Sequence, residues 1–263
     1  MGDSLFMMDV AGLSAAIAPC VPGFEAFAAE YGRRVEDVAE AQDCDLCVEV
    51  TPAMIACERE MADSQHYSDA YLQTLAVQRA LAEELPKHGR FLMHAAVVEF
   101  GGKAYAFTAP SGTGKSTHVR LWCRTLGDTA RILNGDKPFI WVPGGEHRIE
   151  AYGTPWCGKE GWNVNSHAPL AAVCVVRRAA SNVCAKVDAA SALDWLGPQI
   201  YMPNNTEAAF LALGLLDALM RAVPLYELSC DMTSDAVRAS FEAMTGEQFD
   251  SWRVNEEGAE HAE

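Results

Sequence analysis

The sequence predicts an α/β (α+β) fold built around a strand–loop–helix unit, with a small α+β lobe ahead of it, and three observations carry that prediction. The apolar run Lys103-Ala-Tyr-Ala-Phe-Thr-Ala109 leads directly into a glycine-rich loop, and a helical segment from about Ser116 to Leu126 follows. Paired glycines at Gly101-Gly102 and Gly144-Gly145 separate strand-like runs, as hairpin turns do. Two apolar segments with helical spacing, Glu207 to Met220 and Ser234 to Met244, lie towards the end of the chain.

Taken in order, residues 1–62 mix short apolar runs with turn signals. Within them Asp45-Leu-Cys-Val-Glu-Val50 alternates like a half-buried strand. Ser68 to Leu85 places Tyr71, Leu72, Leu75, Val77, Leu81 and Ala82 at helical spacing, and Pro86 and Gly89 close that helix. Arg90 to Phe100 is a β-type run ending at the first glycine pair. Arg131-Ile-Leu-Asn-Gly-Asp136 and Pro138-Phe-Ile-Trp-Val142 read as strand, break, strand. Another strand is expected near Arg148 to Tyr152 and a buried one from Ala168 to Arg177. Val254 to Glu263 is an acidic tail, read as disordered. The expected division is a small N-terminal α+β lobe over 1–88, a nucleotide-binding domain over 89–253 and the tail over 254–263. Internal repeats and low-complexity tracts are absent from the sequence.

The formal net charge of −16 over 263 residues argues against nucleic acid and anionic membranes as partners. An anionic ligand must then be met by a local basic pocket. No apolar run approaches the roughly 20 residues that span a bilayer. The first residues show no basic stretch ahead of an apolar one, and Phe6 stands where a myristoylation signal needs Ser or Thr. The cysteine count is odd, nine in all, and Cys57, Cys123, Cys174, Cys184 and Cys230 fall in apolar-looking segments, as reduced core thiols do. A cytoplasmic chain without disulfides is expected. Cys44-Asp-Leu-Cys47 is the one CxxC, and with no second pair to complete a zinc site it reads as structural.

Ala109-Pro-Ser-Gly-Thr-Gly-Lys-Ser-Thr117 sits between strand and helix, the context in which such a loop cradles the phosphates of a nucleotide triphosphate. Gly112 and Gly114 open backbone torsions that let successive N–H groups point inward. Ser111, Thr113 and Thr117 complete the cradle, and the helix start adds orphan N–H donors with a partial positive charge. Lys115 is placed to meet the β- and γ-phosphates, and Ser116 to give a hydroxyl to Mg²⁺. The usual pattern opens on Gly; Ala109 fits there if its φ is negative.

An Mg-nucleotide site usually has an acid at the end of a nearby strand. Asp136 supplies one, for metal binding or for accepting a proton from an incoming hydroxyl. His94, ahead of the hairpin that feeds the loop, is a candidate acid/base, although a lone His in an apolar strand is more often a hydrogen-bonded core residue. In Tyr152-Gly-Thr-Pro-Trp-Cys-Gly-Lys-Glu-Gly-Trp-Asn-Val-Asn165, Lys159 is a candidate clamp on transferring phosphate. Asn163 and Asn165 are candidate substrate contacts, and Trp156 a candidate pocket wall. Arg177 and Arg178 read as a solvated pair, with a phosphate contact as the alternative.

These residues converge on one group. His94-Ala-Ala-Val, Ala109 to His118, Arg120-Leu-Trp122, Leu133-Asn-Gly-Asp-Lys-Pro138, Gly153-Thr-Pro-Trp-Cys-Gly-Lys159 and Asn165 resemble the HPr kinase/phosphorylase-like proteins, also described as short phosphoenolpyruvate carboxykinase-like proteins. The resemblance covers roughly residues 45 to 245. It implies a phosphoenolpyruvate carboxykinase-like fold, with a mixed, partly antiparallel sheet carrying the phosphate loop between flanking helices. It implies ATP with Mg²⁺ and kinase chemistry, with phosphoryl transfer to a hydroxyl on a protein or small-molecule acceptor. It gives His94, Asp136 and Lys159 catalytic parts and implies a homo-oligomer. Asp136 matches the second of two adjacent acids in the family pattern, and Gly135 stands in place of the first. That departure favours an alternative, a nucleotide-sensing or partner-binding module with a weakened catalytic centre. The reverse, phosphorylase direction uses the same residues.

Overall fold

The structure, a computed structural model, describes residues 5–36, 41–64, 66–145 and 147–249. The tail reading for 254–263 lies outside the described residues.

The first sheet has four strands in the order β3-β1-β2-β4. β1 (Leu5–Val10) and β2 (Leu13–Ala18) form an antiparallel hairpin over Ala11-Gly12. β3 (Gly32–Val35) is antiparallel to β1, and β4 (Leu46–Glu49) is parallel to β2. The short α1 (Phe24–Phe27), α2 (Pro52–Met61) and α3 (Asp69–Glu84) accompany it. Side chains of Thr51 and Ser68 accept backbone N–H groups from the first turns of α2 and α3, the capping these residue types favour. One stripe of α3, including Leu72, Ala76, Val77 and Leu81, joins Phe6, Met8 and Ile17 in a common core.

The second sheet has nine strands of mixed direction. β5 (Arg90–Leu92), β9 (Phe139–Trp141) and β10 (Glu150–Tyr152) run antiparallel in turn, and β10 pairs with the first residues of β11 (His167–Arg178). β11 then lies parallel to β7 (Lys103–Thr108) and to β13 (Leu225–Cys230). β6 (Ala96–Phe100) is antiparallel to both β7 and β8 (Ala130–Asn134), and β12 (Val183–Val187) is antiparallel to β13. This mixture agrees with the α+β class expected from the sequence.

Period-two alternation puts helices on both faces of this sheet. On β7, Ala104 and Ala106 face one core, with Leu196 of α5 (Ala189–Leu196) and Leu216 of α6 (Thr206–Ala222). Tyr105 and Phe107 face the other, with Trp122 of α4 (Lys115–Leu126) and Phe241 of α7 (Ser234–Thr245). Trp122 is fully buried and donates its indole N–H to Ser240 Oγ at 2.8 Å, fastening α4 to α7. No helix among the described residues is long and apolar enough to cross a membrane.

Some expectations change. The run from Arg90 to Phe100 is two strands, because Met93 to Ala95 leave the ladder: His94 N–H bonds to Gln199 O and Ala95 N–H to Asp136 O. β8 and β9, adjacent in sequence, lie apart in the sheet: β8 pairs with β6, and β9 with β5 and β10. Strands β1 to β3, β12 and β13 and helix α5 were not legible in the sequence. All nine cysteines are free, and Cys57 is exposed on α2, where an apolar core position was expected.

Trp156 also stands corrected. It does not wall a pocket; it is 5% exposed, packs on Phe27 and Phe139, and donates to Thr74 O at 2.8 Å. It thereby joins α3 to the strand region around β9. Trp156→Ala is expected to cost about 3–5 kcal/mol, the usual range for emptying a core aromatic site. Urea denaturation checks this; an unchanged midpoint would contradict the joining role.

Candidate functional site

Strand direction gathers the site. β6 is antiparallel to β7 and to β8, so β7 and β8 point the same way with β6 between them. The ends of β7 and β8 and the start of β6 therefore lie at one edge. The parallel β11 finishes there too. The loop after β7, Asp136 after β8, His94 before β6 and Arg178 at the end of β11 are brought together from distant parts of the chain.

The glycine-rich loop has the backbone that a cradle needs. Gly112 and Gly114 have φ of 75° and 116°, torsions that side-chain-bearing residues rarely adopt. A Cβ on either would meet open space, so backbone strain and not crowding selects glycine there. Gly114 caps α4 without any side-chain hydrogen bond, and the first turn carries no acid, so its N–H donors remain available. Arg178 steadies the loop from outside: its guanidinium donates to Thr113 O at 2.8 Å and to Gly112 O. Arg178, read from the sequence as half of a solvated pair, is instead engaged by these loop carbonyls. Arg177 is exposed and paired with Glu227 at 2.9 Å.

Lys115 opens α4 and is almost fully buried, with Nζ 3.3 Å from Asp136 Oδ1. His94 Nε2 lies 3.2 Å from the same oxygen, and Lys137 Nζ 3.9 Å from Oδ2. Burial alone would raise the Asp136 pKa. The His94 hydrogen bond and the charges of Lys137 and Lys115 overcome it and hold the carboxyl well below its usual range. Burial lowers the Lys115 pKa, with Asp136 opposing.

The Asp136 turn is built by Asn134, which is wholly buried. Its side-chain oxygen accepts the N–H groups of Asp136 and Lys137 at 2.9 and 2.7 Å, and its amide donates to Thr154. His94 Nδ1 lies 3.0 Å from the Gln199 side-chain oxygen, and Thr108 Oγ1 donates to His94 O. The segment after β10 is stitched alongside: Val164 N–H bonds to Leu133 O and Gly135 N–H to Trp162 O. This explains Gly135. A Cβ there would sit 2.8 Å from Cys157 O, a backbone atom with no freedom to turn aside.

A cleft of about 550 Å³ opens over these groups. Ser111, Gly112, Thr113, Lys115, Ser116 and Thr117 line one side, and Asp136, Cys157 and Lys159 another. Lys159 is exposed at its rim. Tyr71 of α3 also reaches it, and burial followed by the Asp136 charge raises that phenol's pKa. Two candidates are engaged elsewhere. Asn163 donates to Thr154 O at 3.1 Å, and Asn165 to Glu30 O at 2.6 Å, so both hold backbone where substrate contacts were expected. Tyr71, Gln199 and the structural part of Asn134 were missed. Only Asn134, inside the Asn-Gly-Asp turn signal, left a trace in the sequence.

Among the described residues, no three of His, Cys, Asp and Glu group as a protein-built metal cage. Ser116 and Asp136 fit a metal that draws its other ligands from water and phosphate, as Mg²⁺ does.

No family model matches the chain, and no curated protein matches it in sequence. Among solved structures, it is similar to the Hpr(Ser) kinase/phosphatase from Coxiella burnetii, at 7% identity and a TM-score of 0.30, over 65% of this chain and 95% of that one. The likeness is distant.

Two outcomes are expected. Gly135→Asp should destabilise the fold by about 1–3 kcal/mol through overpacking; unchanged thermal unfolding would refute the crowding. Asp136 has a folded-state pKa below its unfolded value near 4, so it contributes stability above about pH 4 and loses it as the pH falls through the lower folded value. Asp136→Asn should therefore flatten the acid limb of stability against pH, and equal limbs for both proteins would contradict the ion cluster.

Proposed function

We propose that this chain is a nucleotide-dependent phosphotransferase of the HPr kinase/phosphorylase-like class, on a phosphoenolpyruvate carboxykinase-like fold, moving a phosphoryl group from ATP to a hydroxyl. One observation carries the reading. Lys115 and Asp136 meet at 3.3 Å directly above a loop whose glycine torsions and uncapped helix start offer N–H donors to an anion. The motif resemblance in the sequence supports it independently.

In this reading the amides of Ser111 to Thr117 hold the polyphosphate, and Lys115 leaves Asp136 for the β- and γ-phosphate oxygens. Ser116 and Asp136 would hold Mg²⁺, which would supply charge neutralisation on those oxygens. Asp136 or His94 beside it assists the acceptor hydroxyl, one of the two receiving its proton. Lys159 at the rim meets charge developing on the transferred group. Such catalysis is positioning with electrostatic stabilisation. Gly135 does not speak for a sensor over an enzyme, since packing against Cys157 O requires a glycine in either case. The acceptor is a protein or a metabolite, and the N-terminal α+β lobe over 1–88 contributes Tyr71 to its side of the cleft.

The full chain incubated with γ-labelled Mg-ATP and cell extract tests the reading. Transfer of label to a protein band or a metabolite is expected. Lys115→Ala should lower transfer by about 10²–10³-fold, as loss of one transition-state donor does. Asp136→Asn should lower it by about 10²–10⁴-fold while nucleotide still binds. Tight ATP binding with no transfer would leave the sensor; absence of ATP binding would end both.

A further inference from the structure

The Cys44-Asp-Leu-Cys47 motif, read from the sequence as structural, is not packed into a core. β4 is an edge strand of the first sheet, and its alternation turns Leu46 and Val48 inward and leaves Cys47 exposed. Just ahead of the strand the chain bends at Asp45, with Cys44 half-buried on the other side of the bend. The two sulfurs meet there, with Sγ of Cys44 2.8 Å from Sγ of Cys47.

A clamp holds the bend. The Ser14 N–H and hydroxyl donate to Asp45 Oδ2 at 2.8 and 2.9 Å, and the Asp45 N–H donates to Ser14 Oγ at 3.1 Å. Asp45, between the two cysteines, is thereby tied to β2. The strand that follows is paired with β2 as well, with Cys47 beside Ala16. The approach of the thiols is set by that neighbouring strand and not left to a free loop.

The spacing separates the two uses of such a motif. Two thiolates on one tetrahedral zinc stand about 3.8 Å apart, given Zn–S bonds of about 2.3 Å. Among the described residues no third His, Cys, Asp or Glu joins the pair as a metal cage. A disulfide brings its sulfurs to about 2.05 Å, so the pair stands nearer to bond formation than to metal binding. The hydrogen bond to Cys44, followed by burial, pushes the Cys47 thiol up to about 11, so Cys47 keeps its proton while Cys44 attacks.

We propose that Cys44 and Cys47 are a reversible disulfide-forming site that exchanges with small-molecule disulfides, its sulfurs preset by the Ser14–Asp45 clamp. The Cys44 thiolate attacks one sulfur of the incoming disulfide. A mixed disulfide forms, and the first small thiolate leaves with the proton that Cys44 gave up. Cys47 then loses its proton, and its sulfur attacks Cys44 Sγ. The Cys44–Cys47 bond forms, the mixed disulfide breaks, and the second small thiolate leaves with that proton. Two protein thiols are oxidised and one disulfide is reduced to two thiols. Exposure on an edge strand keeps the bond open to the reverse steps.

The full chain is equilibrated in mixtures of oxidised and reduced glutathione, quenched by alkylation in denaturant, and mapped by mass spectrometry of its peptides. The Cys44–Cys47 bridge should form first, lighter by two hydrogens, and dithiothreitol should reverse it. Full alkylation of both cysteines in oxidising mixtures, or oxidation of the buried Cys174 or Cys230 ahead of them, would overturn the site. Cys47→Ser should stop at glutathione on Cys44, and a Cys44 left unmodified in that variant would overturn the order of attack. Ser14→Ala should lower the ratio of bridge to mixed disulfide by about five-fold, the weight of one lost hydrogen bond. An unchanged ratio would overturn the clamp. Calorimetry of the reduced chain with zinc should show no binding; stoichiometric uptake abolished by Cys47→Ser would replace the disulfide site with a metal site.

Discussion

The charge cluster at Asp136 constrains the rest of the structure. A largely covered carboxylate is costly unless cations and donors replace the water it has lost. Here His94, Lys115 and Lys137 do so, each delivered by a different loop end. The cluster persists only while the strands that carry those residues stay in register. Asn134 fixes the Asp136 turn from below, and Gln199 and Thr108 hold the His94 segment. In a chain of net charge −16, such a pocket supplies the local positive field that an anionic ligand needs.

The sheet meets this demand through its mixed directions. Were β11 antiparallel to β7, its end and Arg178 would fall at the opposite edge from the glycine-rich loop. Instead the glycine-rich loop, the Asp136 turn and the end of β11 share one edge, as ligand sites do at the carboxyl ends of strands in open α/β sheets. Helix α4 then begins at that edge with uncapped N–H groups, and its far side is anchored by Trp122 to Ser240. The rigid end of α4 thus supports a loop whose own conformation depends on two glycines and on Arg178.

Much of the fold was legible because the signals were local. The Gly101-Gly102 hairpin, the helix capped by Ser68 and the strand–loop–helix unit each follow from neighbouring residues. β1 to β3, β12 and β13 were not, because short strands declare themselves only through partners far along the chain. Misreadings within the site have the same origin. Asn163, Asn165 and Trp156 look like ligand contacts in a polar, aromatic loop. Their polar atoms are spent on Thr154, Glu30 and Thr74, carbonyls that no spacing rule locates.

The sequence by itself determined the loop's chemistry: which glycines turn, which lysine follows, and that a helix starts there, all within a few residues of one another. Tertiary structure alone decided that Tyr71 shares its cleft, that Arg178 holds its carbonyls, and that position 135 has no room for a second acid. The physical reason is that backbone torsion and capping act over a single turn, whereas ion pairing and steric exclusion depend on which strands lie side by side.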